Sequence, residues 1–232
     1  MPRDIYHRGS NKIKKLMKSA CLFLPMTDAT HDPSNNRTLD VSGNGNHCIF
    51  ANGYTSSKFP TKLGDSRGYS LDGNDYFTTP SCNPFSYGAG EAFSVFMALK
   101  WNSGSVIELF GHGSGGNVNA ECYYLASNNT IRIRGGSPAP EAYLSNALSS
   151  GDVTSFSYSI NDTDCQMNKD GVASGGTQNI TAPDKTAQIE YIGALPTNYF
   201  LVGNIYAFGV FPYVLNASQN KLLHDYFTKG IS

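Results

Sequence analysis

The chain has 232 residues, a formal net charge of −1 and only 15% charged residues, so no overall field draws it to nucleic acid or to an anionic membrane. Its 24 glycines, abundant asparagine, 13 phenylalanines and 14 tyrosines suit a turn-rich β protein with an aromatic core and argue against long surface helices. No stretch approaches the ~20 consecutive apolar residues that a membrane-spanning helix needs.

Residues 1–19 differ from the rest. Arg3, Arg8, Lys12, Lys14, Lys15 and Lys18 face a single acid, Asp4, while Ile13, Leu16, Met17 and Ala20 fall at helical spacing. A short helix after Ser10 and a basic arm that docks on an acidic partner surface are the expectations. The apolar run after the lysines is seven residues long, contains Pro25 and lacks a small-residue cleavage site, so it does not read as a signal peptide. One domain over residues 20–232 follows the arm, with no internal repeat.

Ala20–Met26 reads as a strand with Leu22 and Leu24 on one face and Cys21 and Phe23 on the other. The polar turn Asp40-Val41-Ser42-Gly43-Asn44-Gly45-Asn46-His47 follows, then a short strand from Cys48. Gly68–Leu71 and Tyr76–Thr79 flank Asp72-Gly73-Asn74-Asp75 and predict a hairpin. Ala92–Trp101 alternates most clearly, with Phe93, Val95, Met97 and Leu99 on one face. Further strands are expected at Val106–Phe110, Glu121–Ala126, Thr130–Arg134, Val153–Ile160, Cys165–Asn168, Val172-Ala173, Gln188–Ile192 and Leu201–Phe211. Leu215–Thr228 changes period. Asn216 with Gln219 forms a capping box ahead of the apolar face Leu222, Leu223, Tyr226 and Phe227. Turns spaced ~8–12 residues apart between such strands predict an all-β sandwich.

Four segments resemble the concanavalin A-like jelly roll in its laminin-G-like form. They are the Asp40–His47 turn, the Gly68–Phe77 unit, the strand Phe93–Lys100, and Gly203–Phe211 with the closing helix. The resemblance spans Ala20 to Phe227 and implies a jelly-roll sandwich with a lectin-like binding role. Relatives that hold calcium use acids near the final strand, where this chain has Tyr206-Ala207. Asp40, Asp72 and Asn204 are the candidate metal ligands, but too few carboxylates accompany them for a calcium site to be favoured, and no other cofactor is expected.

Enzymatic chemistry finds little support. The E-x-D-x-x-E pattern of laminarinase-type relatives is absent, and Glu91, Glu108, Glu121, Glu141 and Glu190 stand isolated. Gly111–Gly116 spells G-x-G-x-x-G but runs into a strand-like segment, not a helix. The five cysteines include no C-x-x-C pair and read as buried free thiols. Binding is what the loops favour, since sugars stack on exposed aromatics and hydrogen-bond to Asn and Asp. Tyr54, Asn74, Asp75, Tyr87, Tyr143 and Tyr199 are the candidate ligand contacts. The sequence-level expectation is a non-enzymatic lectin-like attachment module, a phage or viral virion subunit joined to other protein subunits through its arm, with a glycan-degrading enzyme as the alternative.

Overall fold

A computed structural model describes residues 11–51, 56–64, 67–79, 91–111, 121–134, 141–180, 190–195 and 199–229. A helix α1 (Asn11–Lys18) opens the chain and a helix α2 (Ala217–Thr228) closes it. Between them run β1 (Leu22–Leu24), β2 (His31–Asp32), β3 (Arg37–Thr38), β4 (Cys48–Phe50), β5 (Thr61–Lys62) and β6 (Tyr69–Asp72). Next come β7 (Phe77–Thr78), β8 (Ala92–Ser103), β9 (Val106–Gly111), β10 (Glu121–Leu125), β11 (Thr130–Arg134) and β12 (Ala142–Ser145). The last are β13 (Val153–Asn161), β14 (Asp164–Lys169), β15 (Val172–Ala173), β16 (Gln178–Asn179), β17 (Tyr191–Ile192) and β18 (Val202–Phe211).

Among the described residues these strands form two antiparallel sheets of nine. The first runs β15-β14-β13-β8-β18-β6-β5, with β1 also on β18 and β16 also on β14. The second runs β12-β11-β10-β9-β17-β7-β4-β3-β2. The protein is therefore an all-β sandwich, consistent with a jelly roll, with one short C-terminal helix.

Period-two alternation decides which side chain lies in which layer. Phe93, Val95, Met97 and Leu99 of β8 point between the sheets, as do Leu22 and Leu24 of β1, and they join one continuous core. Phe96 and Ala98 of β8 and Phe23 of β1 point the other way, into a second cluster beneath the helices. That second cluster contains Ile13, Leu16 and Met17 of α1 with Leu223 and Phe227 of α2. The expected helix after Ser10 is thus present, and its apolar stripe is seated on the sandwich; Arg3 and Arg8 lie outside the described residues. The capping box at α2 also forms, with Asn216 Oδ1 accepting from Gln219 N at 3.0 Å and Gln219 Oε1 accepting from Asn216 N at 2.9 Å.

Polar contacts fix α2 as well. Ser157 Oγ donates to Asn220 Oδ1 at 2.6 Å, and Leu215 N donates to Ser94 Oγ at 2.9 Å. The side chains of Cys48, Cys122 and Cys165 are buried and that of Cys21 is half-buried. Burial pushes the Cys165 thiol up to about 12, which keeps it protonated and inert. Cys82 lies outside the described residues.

The hairpin expected at residues 69–79 is not one. Strand β6 pairs with β18 and β5 in the first sheet, whereas β7 pairs with β4 and β17 in the second. Asp72–Asp75 is the arch that carries the chain across the core. Asp75 points inward at the arch: it is only 3% exposed, and its Oδ2 accepts from Asp72 N at 3.1 Å. Burial, with the Asp72 carboxylate nearby, raises its pKa from the usual 3.8 to about 6. A folded-state pKa above the unfolded value means that the native state holds the proton more tightly. Stability from this group is full below the unfolded pKa and is lost as pH rises through 6. Asp75→Asn is therefore expected to be about 1–2 kcal/mol more stable than wild type at pH 7.5, with the gap closing below pH ~4. Urea melts at pH 7.5 and at about pH 3 check this; an undiminished gap at the lower pH contradicts it.

Candidate functional site

The Asp40–His47 turn is a closed polar cluster. Asp40 Oδ1 accepts from Phe23 N at 2.9 Å and from Ser42 N at 2.9 Å. Its Oδ2 accepts from Ser42 Oγ at 2.7 Å and from Asn46 N at 3.0 Å. Asn44 and Asn46 then cap the Cys21 carbonyl through their side-chain amides, at 3.0 and 2.8 Å. Every donor around Asp40 points a positive hydrogen at the carboxylate, which satisfies it internally and opposes a cation.

Asp40, Asp72 and Asn204 do not converge. Asp40 holds Phe23, which sits opposite Gly209, five residues along β18 from Asn204, or roughly 16 Å at ordinary strand rise. Asp72 Oδ1 accepts from Asn74 N, a local turn bond, and Asn204 Nδ2 donates to the Tyr206 hydroxyl at 3.1 Å. Among the described residues no group of three or more His, Cys, Asp or Glu gathers as metal ligands would.

A serine, a histidine and an aspartate do meet, a grouping that no sequence motif announces. Ser155 Oγ lies 3.0 Å from His224 Nδ1, and Asp170 Oδ1 lies 3.7 Å from the same nitrogen. A nucleophile relay needs serine and carboxylate on opposite ring nitrogens, and it needs an accessible hydroxyl. Here both face Nδ1, and Ser155 is 1% exposed. The cluster pins α2 to the turn between β14 and β15.

One row of polar and aromatic side chains lies on the face of the second sheet away from the core, and it reaches solvent at its Tyr143 end. Cross-strand register puts Glu108 of β9, Tyr123 of β10, Arg132 of β11 and Tyr143 of β12 in one row. Ile131, Ile133, Ala142 and Leu144 alternate with them and point into the core, which is why the row faces outward. A register shift between Cys122 and Tyr123 marks a bulge in the β9–β10 pair, of the kind that re-aims side chains. Just before β12, Glu141 ties the row together. Its Oε1 accepts from the Tyr123 hydroxyl at 2.8 Å, and its Oε2 accepts from Arg132 Nη1 at 2.9 Å. This partner raises the Arg132 pKa above its ordinary value.

Tyr143 ends the row and is 55% exposed. Strand β12 is a sheet edge, so its outward backbone groups need partners from elsewhere. Gln178 supplies them: its Oε1 accepts from Tyr143 N at 3.0 Å, and its Nε2 donates to Tyr143 O at 2.9 Å. Because Gln178 also belongs to β16, which pairs with β14, this clamp stitches the edges of the two sheets. It leaves a pocket of about 230 Å³ lined by Tyr143, Ser145, Ser174, Gly175, Gly176, Thr177 and Gln178. An aromatic ring held by a fixed backbone beside hydroxyl and amide groups can stack on an apolar ligand face and hydrogen-bond its rim.

Of the other candidates, Tyr199 is half-exposed, and its carbonyl accepts from Glu108 N at 2.7 Å at the far end of the same row. Asn74 and Asp75 lie in the β6–β7 arch, apart from this row. Tyr54 and Tyr87 lie outside the described residues, as do the loop residues 112–116. Gln178 and the Gly175–Thr177 loop were not anticipated, because they meet Tyr143 only through the fold.

No protein-family model and no curated protein sequence matches the chain. Solved structures do resemble it. A Trypanosoma rangeli sialidase superposes with a TM-score of 0.63 at 16% identity, over 88% of this chain and 32% of the sialidase. The binding domain of botulinum neurotoxin serotype G gives 0.59 at 13% identity, over 88% of this chain and 50% of that domain. The serotype D ligand-binding domain, solved with N-acetylneuraminic acid, gives 0.61 at 12% identity, over 91% and 52%. The chain thus spans about a third of the sialidase and about half of each toxin domain. At these identities the likeness is one of fold, a two-sheet sandwich consistent with a jelly roll.

Proposed function

We propose that the protein is a non-enzymatic, lectin-like module that binds carbohydrate at the β12 edge, with Tyr143 as the stacking platform. The observation that carries this reading is the exposed Tyr143, its backbone clamped by Gln178, beside the Ser145–Ser174–Thr177 pocket. The sandwich shared with the sialidase and with the toxin domain solved with N-acetylneuraminic acid supports it. Two finer assignments belong to the same proposal. Membership of the concanavalin A-like superfamily, in its laminin-G-like form, is supported by the order of segments from Asp40 to Phe211. Duty on a larger assembly such as a phage or viral particle is supported by the lysine-rich α1.

Screening against immobilised oligosaccharides, followed by titration of the best hit, tests the binding. Tyr143→Ala is expected to weaken it about tenfold, the worth of one aromatic stacking contact. Its melting temperature should match wild type because the ring is mostly solvent-exposed. Equal binding by the variant contradicts the site.

A glycan-degrading enzyme has one observation in its favour: Glu108 and Glu141 both neighbour Tyr123. Against it, Glu108 is 1% exposed, so a saccharide on this face does not reach its carboxyl. Chromatography of the bound oligosaccharide after incubation separates the readings, and any released product supports the enzyme.

A further inference from the structure

The two helices leave a groove of about 610 Å³ on the face of the first sheet away from the second. Leu16, Tyr213 and Leu222 contribute its apolar surface, while Lys12, Lys15 and Ser19 of the α1 side line one wall. The lysines matter because they are uncompensated. Lys221 and Lys229 on the α2 side both bind Asp225, at 3.0 and 2.7 Å. Helix α1 contains no acid, and among the described residues no carboxylate pairs with Lys12, Lys15 or Lys18.

We propose that this groove docks a partner protein through a segment that presents acidic side chains beside an apolar stripe. Charge complementarity selects the partner: a carboxylate-bearing segment neutralises Lys12 and Lys15 while its apolar stripe covers Leu16 and Leu222. Concavity argues against a membrane surface, since a flat bilayer meets the lysine rim without reaching the apolar floor. The inference rests on the attachment half of the proposed function and is independent of the carbohydrate half.

The test uses the full chain and two fluorescent 15-residue peptide probes. One carries Leu at every third and fourth position with Glu between, and the other has Lys in place of Glu. The Glu peptide is expected to bind at least about tenfold more tightly, and about fivefold more weakly in 300 mM salt than in 50 mM. The double variant Lys12→Glu, Lys15→Glu should lose at least about tenfold while keeping its melting temperature, as both side chains are exposed. Leu222→Gln should weaken binding with no change in salt dependence. If the Glu peptide binds wild type and both variants alike, the groove is overturned while attachment through other lysines stands. If neither peptide binds, the groove and the attachment reading fail together. Self-association abolished by the double variant, or sedimentation with anionic vesicles in place of peptide binding, also overturns the proposal.

Discussion

Asp40→Ala is expected to destabilise the protein by about 3–5 kcal/mol, the largest effect of any single polar substitution in this fold. The carboxylate is 8% exposed and accepts four hydrogen bonds, three from backbone amides and one from the Ser42 hydroxyl. Alanine leaves these donors facing a cavity in which water cannot replace both oxygens at once. The loss spreads because Asp40 grips Phe23 N while Asn44 and Asn46 hold the Cys21 carbonyl. The turn is therefore what anchors the entry into β1. Urea denaturation measures the cost. Asp40→Asn should fall between wild type and alanine, because its amide nitrogen presents hydrogens to donors. A cost below about 1 kcal/mol for alanine would show that the turn is held by its glycines alone.

Gly209→Ala is expected to cost about 2–3 kcal/mol although it adds a single methyl group. Phe23 lies directly opposite Gly209 in the β1–β18 pair. A Cβ on Gly209 would stand 2.5 Å from Phe23 Cδ2. The ring cannot withdraw, because it is fully buried, with its centroid 6.0 Å from that of Phe211 and 5.4 Å from that of Phe227. Either β1 shifts or the aromatic layer under α2 reopens. The double variant Gly209→Ala, Phe23→Leu should be less destabilised than the sum of the singles, because the smaller side chain relieves the clash. Additive costs would place the strain elsewhere.

How much of this was legible in the sequence follows from which interactions are local. Alternation in β8 and β1 predicted both faces correctly, since each face meets a different apolar layer and the pattern is not blurred by solvent. The spacing of Ile13, Leu16 and Met17 likewise disclosed α1, and Asn216 with Gln219 disclosed the start of α2. The β6–β7 unit misled because a hairpin and an inter-sheet arch share the same polar turn between short strands. Only the burial of Asp75 and Tyr76 distinguishes them, and burial is a property of the assembled core.

The candidate site shows the same division. Tyr143 was named as a loop aromatic but lies in strand β12, and Gln178, 35 residues away in the chain, contacts it only because the two sheet edges meet. Strand β12 itself is four residues long, too short to announce its period. Asp40, Asp72 and Asn204 were grouped by residue type alone. The register of β18 then sets Asp40 apart from Asn204.

The functional reading turns on carbohydrate being held over Tyr143 at the β12 edge. A crystal structure of the protein with its best-binding oligosaccharide tests it most directly. The expected result is a sugar ring stacked on Tyr143 with its hydroxyls bonded to the Ser145–Ser174–Thr177 rim. A sugar seated anywhere else on the sandwich would contradict it.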